Sequence, residues 1–440
     1  MSGYKTKGIN HYIDFMKYLN AYYFIALFIF GMGVNIYGQS KSNLDQKGPE
    51  WIKSELTKSH VFSAPEFVFT TEYDEFQIQD NIKGLLFEGV PYKGRQTQVF
   101  CWYGVPKSLK AGEKAPAVVL VHGGGGTAFP QWVRKWNDRG YIAISIALEG
   151  QIPGDKIKNE NGKSDYQRLP SAGPSRIGFF YDLNEEPLED QWFYHAVSDV
   201  ILANSLLRSF PEVDSSNIGI TGISWGGILT NVVTGIDDRY TFSIPVYGCG
   251  FLNETPLYKR LLGNLNPSAQ EFYLNNWEPS LYVPRQKLPT LFVNGTNDRH
   301  FTMNSFTKTF EASTNEKYLR IEHEMRHGHG PGWEPEVIYN FADYITKTGY
   351  KPVSVVLKKI SKKNQLTYKY KGHSIKKAAL YYTTNAKDWD YESYKWIKVP
   401  IVLSDSKNIL KTELPKDAQY FFINVITTDN LMYSSSMVKK

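Results

Sequence analysis

Two patterns of apolar residues divide this chain. In its first part, short runs that read as strands are separated by Asp and Gly turns: Phe67-Val68-Phe69-Thr70, Gly84-Leu85-Leu86-Phe87 and Thr97-Gln98-Val99-Phe100. They predict antiparallel strands at one edge of a sheet. At Ala117 the pattern changes. Ala117-Val118-Val119-Leu120-Val121 is apolar throughout, as expected of a strand buried on both faces. A Gly-rich turn, a helix over about residues 129–139 and a second buried run, Tyr141 to Ile146, follow. This alternation predicts a parallel sheet with crossover helices. The rhythm returns in Ile218–Thr221, Phe242–Tyr247, Thr290–Asn294 and Tyr318–Glu322, with helices over about 190–209 and 335–346. Residues 150–190 interrupt it with a long polar stretch holding Tyr166, Phe179, Phe180 and Tyr181, which reads as a wall over a substrate site. Beyond residue 350 the helical period disappears. Alternating runs such as Ala378–Tyr382 and Tyr420–Val425 predict an appended, Ig-like β-sandwich over 351–440, after an α/β domain over 41–350.

The amino terminus reads as a signal peptide over residues 1–38. Lys5, Lys7 and Lys17 precede an apolar run from Ala21 to Val34, and Gly38 suits cleavage. The run is interrupted and short of the ~20 apolar residues of a membrane span. Met16 is the better start. The mature protein is expected outside the cytoplasm or at the cell surface, with no stable membrane insertion. Net charge is +6, but no Lys/Arg run is long enough for a nucleic-acid stripe, so nucleic acid is excluded as a partner. Two cysteines, Cys101 and Cys249, make no disulfide framework; a single bridge and buried free thiols both remain open.

The chemistry centres on Gly222-Ile223-Ser224-Trp225-Gly226, between a buried strand and a small, apolar helix. A strand-to-helix turn this sharp strains the serine backbone, and the flanking glycines relieve the crowding, so that the hydroxyl of Ser224 stands clear of the sheet as a nucleophile. It needs a base, and the base an orienting acid. Asp298 lies just past the end of the strand Leu291–Asn294; Asp237 and Asp238 follow the elbow too closely and are expected to pair with Arg239 or cap a turn. The base is His327 or His329, on the loop after the last strand. His122-Gly123-Gly124-Gly125-Gly126 follows the first buried strand, and Gly124 or Gly125, together with Trp225, would supply backbone donors to an oxyanion. His122, Trp225, His329 and Trp333 are the expected pocket lining. The glycines lack the Lys-Ser/Thr of a phosphate loop, and no dinucleotide fingerprint is present. His323-Glu324-Met325-Arg326-His327 matches a zinc-protease pattern, but that chemistry needs a helix; here a strand precedes it and glycines with a proline follow.

These stretches, with Pro245–Gly250 and His327–Trp333, resemble the acetylxylan-esterase and dienelactone-hydrolase-like branch of the α/β-hydrolases and, more distantly, prolyl-oligopeptidase-type serine peptidases. The likeness runs from about residue 80 to about residue 350. It implies a mostly parallel sheet with helices on both faces and a sandwich like that of some secreted members. It implies a triad of Ser224, Asp298 and His327 (or His329), without metal or organic cofactor. The implied substrate is an ester-bearing, acetylated carbohydrate. Peptide hydrolysis, a zinc hydrolase using His323 and His327, and a non-catalytic binding role are the rival readings.

Overall fold

The computed structural model describes residues 47–440 apart from 159–161, 163, 177–179, 181, 184–185, 390–393 and 404–407. The signal-peptide segment, Met16, Phe179 and Tyr181 lie outside the described residues. Among those described, no helix is long and apolar enough to cross a membrane.

After a short helix α1 (Gly48–Lys58) come strands β1 (Phe67–Thr70), β2 (Ile82–Tyr92), β3 (Arg95–Gly104), β4 (Ala115–Val121) and, beyond helix α2 (Pro130–Asn137), β5 (Ile142–Ile146). Helix α3 (Trp192–Ser209) leads to β6 (Val213–Ile223), α4 (Trp225–Thr234) and β7 (Phe242–Val246). Two helices, α5 (Pro256–Gly263) and α6 (Pro267–Asn276), separate β7 from β8 (Thr290–Gly295). Then come α7 (Met303–Ala312), β9 (Lys317–Glu322), the one-turn α8 (His329–Trp333) and α9 (Glu336–Thr346). The nine strands form one sheet in the order β1-β2-β3-β5-β4-β6-β7-β8-β9. Pairing is antiparallel from β1 to β5 and parallel from β5 to β9. β5, β7 and β8 are buried at every residue. That is why they read as mostly apolar runs, whereas β1, paired with β2, is largely exposed and adds the Phe67–Phe210 and Phe69–Tyr103 ring contacts. This is the α/β-hydrolase sheet, with its helices packed against it.

The remaining strands are antiparallel. β10 (Ser354–Ile360), β11 (Gln365–Lys371) and β14 (Ile409–Glu413) make one sheet, and β12 (Ile375–Thr383), β13 (Ile397–Ile401), β15 (Tyr420–Thr427) and β16 (Met432–Ser434), with β17 (Val438–Lys439) on β15, the other. Together they give the expected sandwich. Residues 48–440 nevertheless form one compact unit. At the free edge of the large sheet, the side chain of Ser434 accepts from Ile321 N–H (2.7 Å) and that of Asn424 donates to Ile321 C=O (2.9 Å). The sandwich thus satisfies polar groups that an edge strand would otherwise expose. Trp389 and Trp396 are 9% and 8% exposed, so they pack rather than form a glycan platform. Cys101 and Cys249 are both buried free thiols.

Candidate active site

The turn from β6 into α4 holds Ser224 at φ 59°, ψ −113°, the left-handed side of the map that a residue with a side chain rarely occupies. The strain is fixed from both sides. Ser224 N–H donates to Val246 C=O (2.9 Å) on the neighbouring strand, and Ser224 C=O receives Ile228 N–H (3.0 Å) in the helix. The crossing is so close that a Cβ on Gly226 would collide with the Val121 carbonyl, and one on Gly222 with the carbonyl of Gly226. Both positions therefore need glycine.

Asp298 sits on the loop after β8, its carboxylate sealed from solvent. Its Oδ1 accepts from the backbone N–H groups of His300 (2.8 Å) and Phe301 (2.9 Å), leaving Oδ2 facing His327 Nδ1 at 2.6 Å. A carboxylate can only accept, so Nδ1 carries the proton, and Nε2 accepts from the Ser224 hydroxyl at 3.0 Å. The imidazole is clamped by rings: Tyr247 lies at 4.5 Å, His300 at 4.6 Å and Phe301 at 6.0 Å between centroids. Tyr247 in turn donates its hydroxyl to Arg326 C=O (2.7 Å), tying the histidine loop to the end of β7. His300, half-buried beside His327, is pushed down to about 4, by desolvation first and then by the neighbouring imidazole, and so stays neutral near pH 7.

The other histidines take different places. His329 does not meet the serine: its Nε2 accepts Gly123 N–H at 2.9 Å, and burial holds its pKa down at about 4. It is a loop anchor, so it is not the base in this arrangement. His122 is equally spoken for. Leu148 N–H donates to its Nε2 (3.0 Å), so Nδ1 carries the proton and donates to Gly123 C=O (2.7 Å). Desolvation by burial pushes its pKa down to about 3, and with both nitrogens used inside the fold it cannot line a substrate pocket as the sequence suggested. The Trp225 ring likewise faces inward, among Phe180, Trp192, Phe193 and Tyr258. Its backbone N–H opens α4, where a helix does not use its own first N–H groups. Gly124 and Gly125 are exposed at the tip of a turn closed by Gly126 N–H to Gly123 C=O (3.0 Å). Gly123 is close enough that a Cβ on it would stand 3.0 Å from Ser224 Cβ. Trp333 is half-buried against Phe129 and Trp132.

The zinc pattern does not form a site. Residues 323–324 are a turn, Glu324 has φ 56°, and His323 stacks near Tyr381 instead. A different group, Asp298, His300 and His327, has ligand atoms within 4.8 Å of one another. Its acid is already filled, with Oδ1 on two backbone donors and Oδ2 on Nδ1, so an ion would have to displace the bond that orients His327. The rival acids are paired elsewhere: Asp237 with Arg239 (2.8 Å) and Asp238 with Lys287 (2.7 Å). The sequence did not point to Tyr247, His300 or Thr296, whose carbonyl receives Tyr394 O–H (3.2 Å) and Trp396 Nε1–H (3.3 Å) from the sandwich. Only His300, two residues after the acid, carried a signal.

Known proteins bear on this geometry. The family model described as Acetyl xylan esterase (AXE1) matches residues 53–262, and that of the Prolyl oligopeptidase family residues 184–347. Among solved structures, the chain is similar to the acetyl xylan esterase from Paenibacillus sp. R4, at 20% identity over 67% of this chain and 94% of that one, with a TM-score of 0.51. It is also similar to Acetyl Xylan Esterase 1 from Thermoanaerobacterium sp., at 15% identity over 68% and 92%, with a TM-score of 0.53. At such identities the likeness shows the fold. Among curated proteins it is 26% identical over 157 residues to the probable dipeptidyl-peptidase 5 of Aspergillus terreus, covering 33% of this chain. That match spans only 18% of the relative's length.

Proposed function

We propose, from the premise that the chain is an α/β-hydrolase and serine hydrolase of the acetyl xylan esterase and prolyl-oligopeptidase-like family, that it is an exported esterase removing acetyl groups from carbohydrate. The observation that carries this reading is the continuous relay from Ser224 Oγ through His327 to Asp298, at 3.0 and 2.6 Å.

In the proposed reaction Ser224 attacks the ester carbonyl while His327 Nε2 takes its proton. Asp298, held by two backbone donors, keeps the imidazole in the receiving tautomer and stabilises the imidazolium. The backbone N–H groups of Trp225 and of Gly124 or Gly125 hold the oxyanion, each donor of this type contributing about 3 kcal/mol. His327 then protonates the departing sugar oxygen, and water, deprotonated by the same nitrogen, releases the acid from the serine. No step needs a metal or organic cofactor.

A second reading, peptide hydrolysis, is favoured by the dipeptidyl-peptidase likeness and by the prolyl oligopeptidase match, which includes all three relay residues. One comparison separates the two. Wild type and Ser224→Ala are assayed for acetate release from acetylated xylan, for cleavage of para-nitrophenyl acetate, and for release of dipeptides from para-nitroanilide substrates. The esterase reading expects acetate release that drops by about 10⁴-fold or more in the variant. Dipeptide release without acetate release overturns it.

A further inference from the structure

The long loop after β5 brings charged groups to the catalytic glycine loop. Arg168 staples the loop by donating to Glu149 C=O (2.6 Å) and Gly173 C=O (2.7 Å). Arg176, three residues beyond Gly173, projects its guanidinium over the rings of Trp225 (5.5 Å) and Trp192 (5.9 Å). On its Nε side stands the Glu149 carboxylate at 3.5 Å; both side chains are only 15% exposed. The other end of the guanidinium faces the catalytic glycine loop. Nη2 lies 2.9 Å from the point a Cβ on Gly124 would occupy, and Trp225 Cδ1 lies 3.1 Å from it. Arg176 is thus against both segments proposed to donate to the oxyanion, and Gly124, which it faces, is one residue along from Gly123, the glycine that abuts Ser224. On the outer side, Lys156 donates to Gly125 C=O (2.7 Å). Among the described residues, the polar side-chain atoms nearest to these two exposed glycines are therefore cationic.

We propose that Arg176 is a specificity residue of this site, and that the preferred esters carry a carboxylate near the ester carbonyl, held by the Arg176 guanidinium with Lys156 at the rim. This rests on the serine esterase reading above and narrows its substrate class to acidic esters, such as those borne by uronate-containing saccharides or formed by dicarboxylic acids. A guanidinium suits the task because its planar fork meets a carboxylate side-on, and an ammonium in its place would not. Glu149 holds the guanidinium in position between substrates. It also competes with the incoming carboxylate, which gives the inference a variant that moves in the opposite direction.

The test compares two esters of equal chain length, mono-para-nitrophenyl succinate and para-nitrophenyl butyrate, with the full chain at low and high salt. Wild type is expected to favour the charged ester by about ten-fold in kcat/KM, the worth of one charge-assisted contact. The preference should shrink as salt rises. Arg176→Gln should abolish the preference, mainly through KM for the succinate; Arg176→Lys should keep part of it, and Glu149→Gln should enlarge it. Thermal unfolding of each variant shows whether it folds. Should Arg176→Gln fail to fold, Glu149→Gln and the salt dependence decide. Hydrolysis of both esters without preference, or a preference indifferent to both residues, overturns the inference and leaves the esterase reading standing. A wild type that cleaves neither these esters nor acetyl esters removes both.

Discussion

Two loops at the same end of the sheet each present a strand terminus, glycines and a histidine, yet they make opposite use of the imidazole. After β4, His122 has both nitrogens on backbone: it accepts from Leu148 N–H and donates to Gly123 C=O. After β9, His327 has one nitrogen on a carboxylate and the other on a hydroxyl. Backbone partners do not change protonation state, so the first ring is fixed as a neutral strut. A carboxylate stabilises a positive ring and a serine supplies a proton to be moved, so the second is built to titrate during a reaction. The nearby sequence is alike; the partners decide. His329 shows this over a gap of two residues, since it accepts a backbone N–H and falls on the strut side.

The largest expected effect follows from that difference. His327→Ala should lower kcat on an aryl acetate by about 10⁴-fold or more, because serine and base act as a unit. Asp298→Asn should cost about 10⁴-fold by favouring the wrong tautomer. His329→Ala should cost only about ten-fold, by loosening Gly123, since a misplaced catalytic loop loses rate without losing the reacting groups. Steady-state kinetics on the three variants measures this, and a His329 variant as inactive as the His327 variant would reverse the assignment.

His122→Ala should instead show itself in stability. It strips the buried Leu148 N–H of its partner, at about 1–3 kcal/mol for the group left unsatisfied, while Gly123 C=O keeps the Gly126 N–H; this is read as a lower denaturant midpoint with a larger share of activity retained than in His327→Ala.

How far this was legible depends on what each residue's role required. Ser224 and Asp298 could be singled out, and the base narrowed to His327 or His329, because strand ends, glycine spacing and chain order constrain them together. The parallel strands were legible because burial on both faces leaves no exposed position in β5, β7 or β8, so they are mostly apolar. His122 and Trp225 were misplaced in the pocket because nothing local announces that Leu148 N–H or an aromatic cluster will claim a side chain. Helix α6 was missed because its buried positions, Ala269, Tyr273 and Asn276, include only one large apolar residue. The sandwich could be read as a fold, but its contact with the Asp298 loop joins residues about a hundred positions apart.

The desolvated histidines also set a pH response. His122, His329 and His300 have folded-state values of about 3, 4 and 4, each lowered first by desolvation, against 6.5 for the free group. With the folded value below the unfolded one, the unfolded chain binds more protons as pH falls below 6.5, so stability declines steadily from there toward pH 4. Glu278, pushed up by burial to about 7, works the other way: it favours the folded state as pH falls from 7 toward 4.5. The contribution of one strut is therefore read by difference. Unfolding midpoints of wild type and His122→Ala should converge between pH 7 and pH 4, and a constant gap would refute the neutral-strut assignment.

The smallest effect concerns the far side of the acid. Trp396 packs its ring on Phe422 and donates Nε1–H to the carbonyl of Thr296, two residues before Asp298. Trp396→Phe keeps an aromatic ring on Phe422 and deletes one hydrogen bond, so about 1 kcal/mol of stability is at stake. Because the same carbonyl also receives the Tyr394 hydroxyl, the acid loop should shift only slightly, and kcat should fall by no more than about three-fold with KM unchanged, the mark of a transition-state effect. A sandwich that served glycan capture through this tryptophan would give the reverse. Retention on insoluble polysaccharide would be lost while kcat on a soluble ester stayed at the wild-type value. The buried ring predicts that retention is unaffected, and that the sandwich acts on catalysis through the backbone it braces.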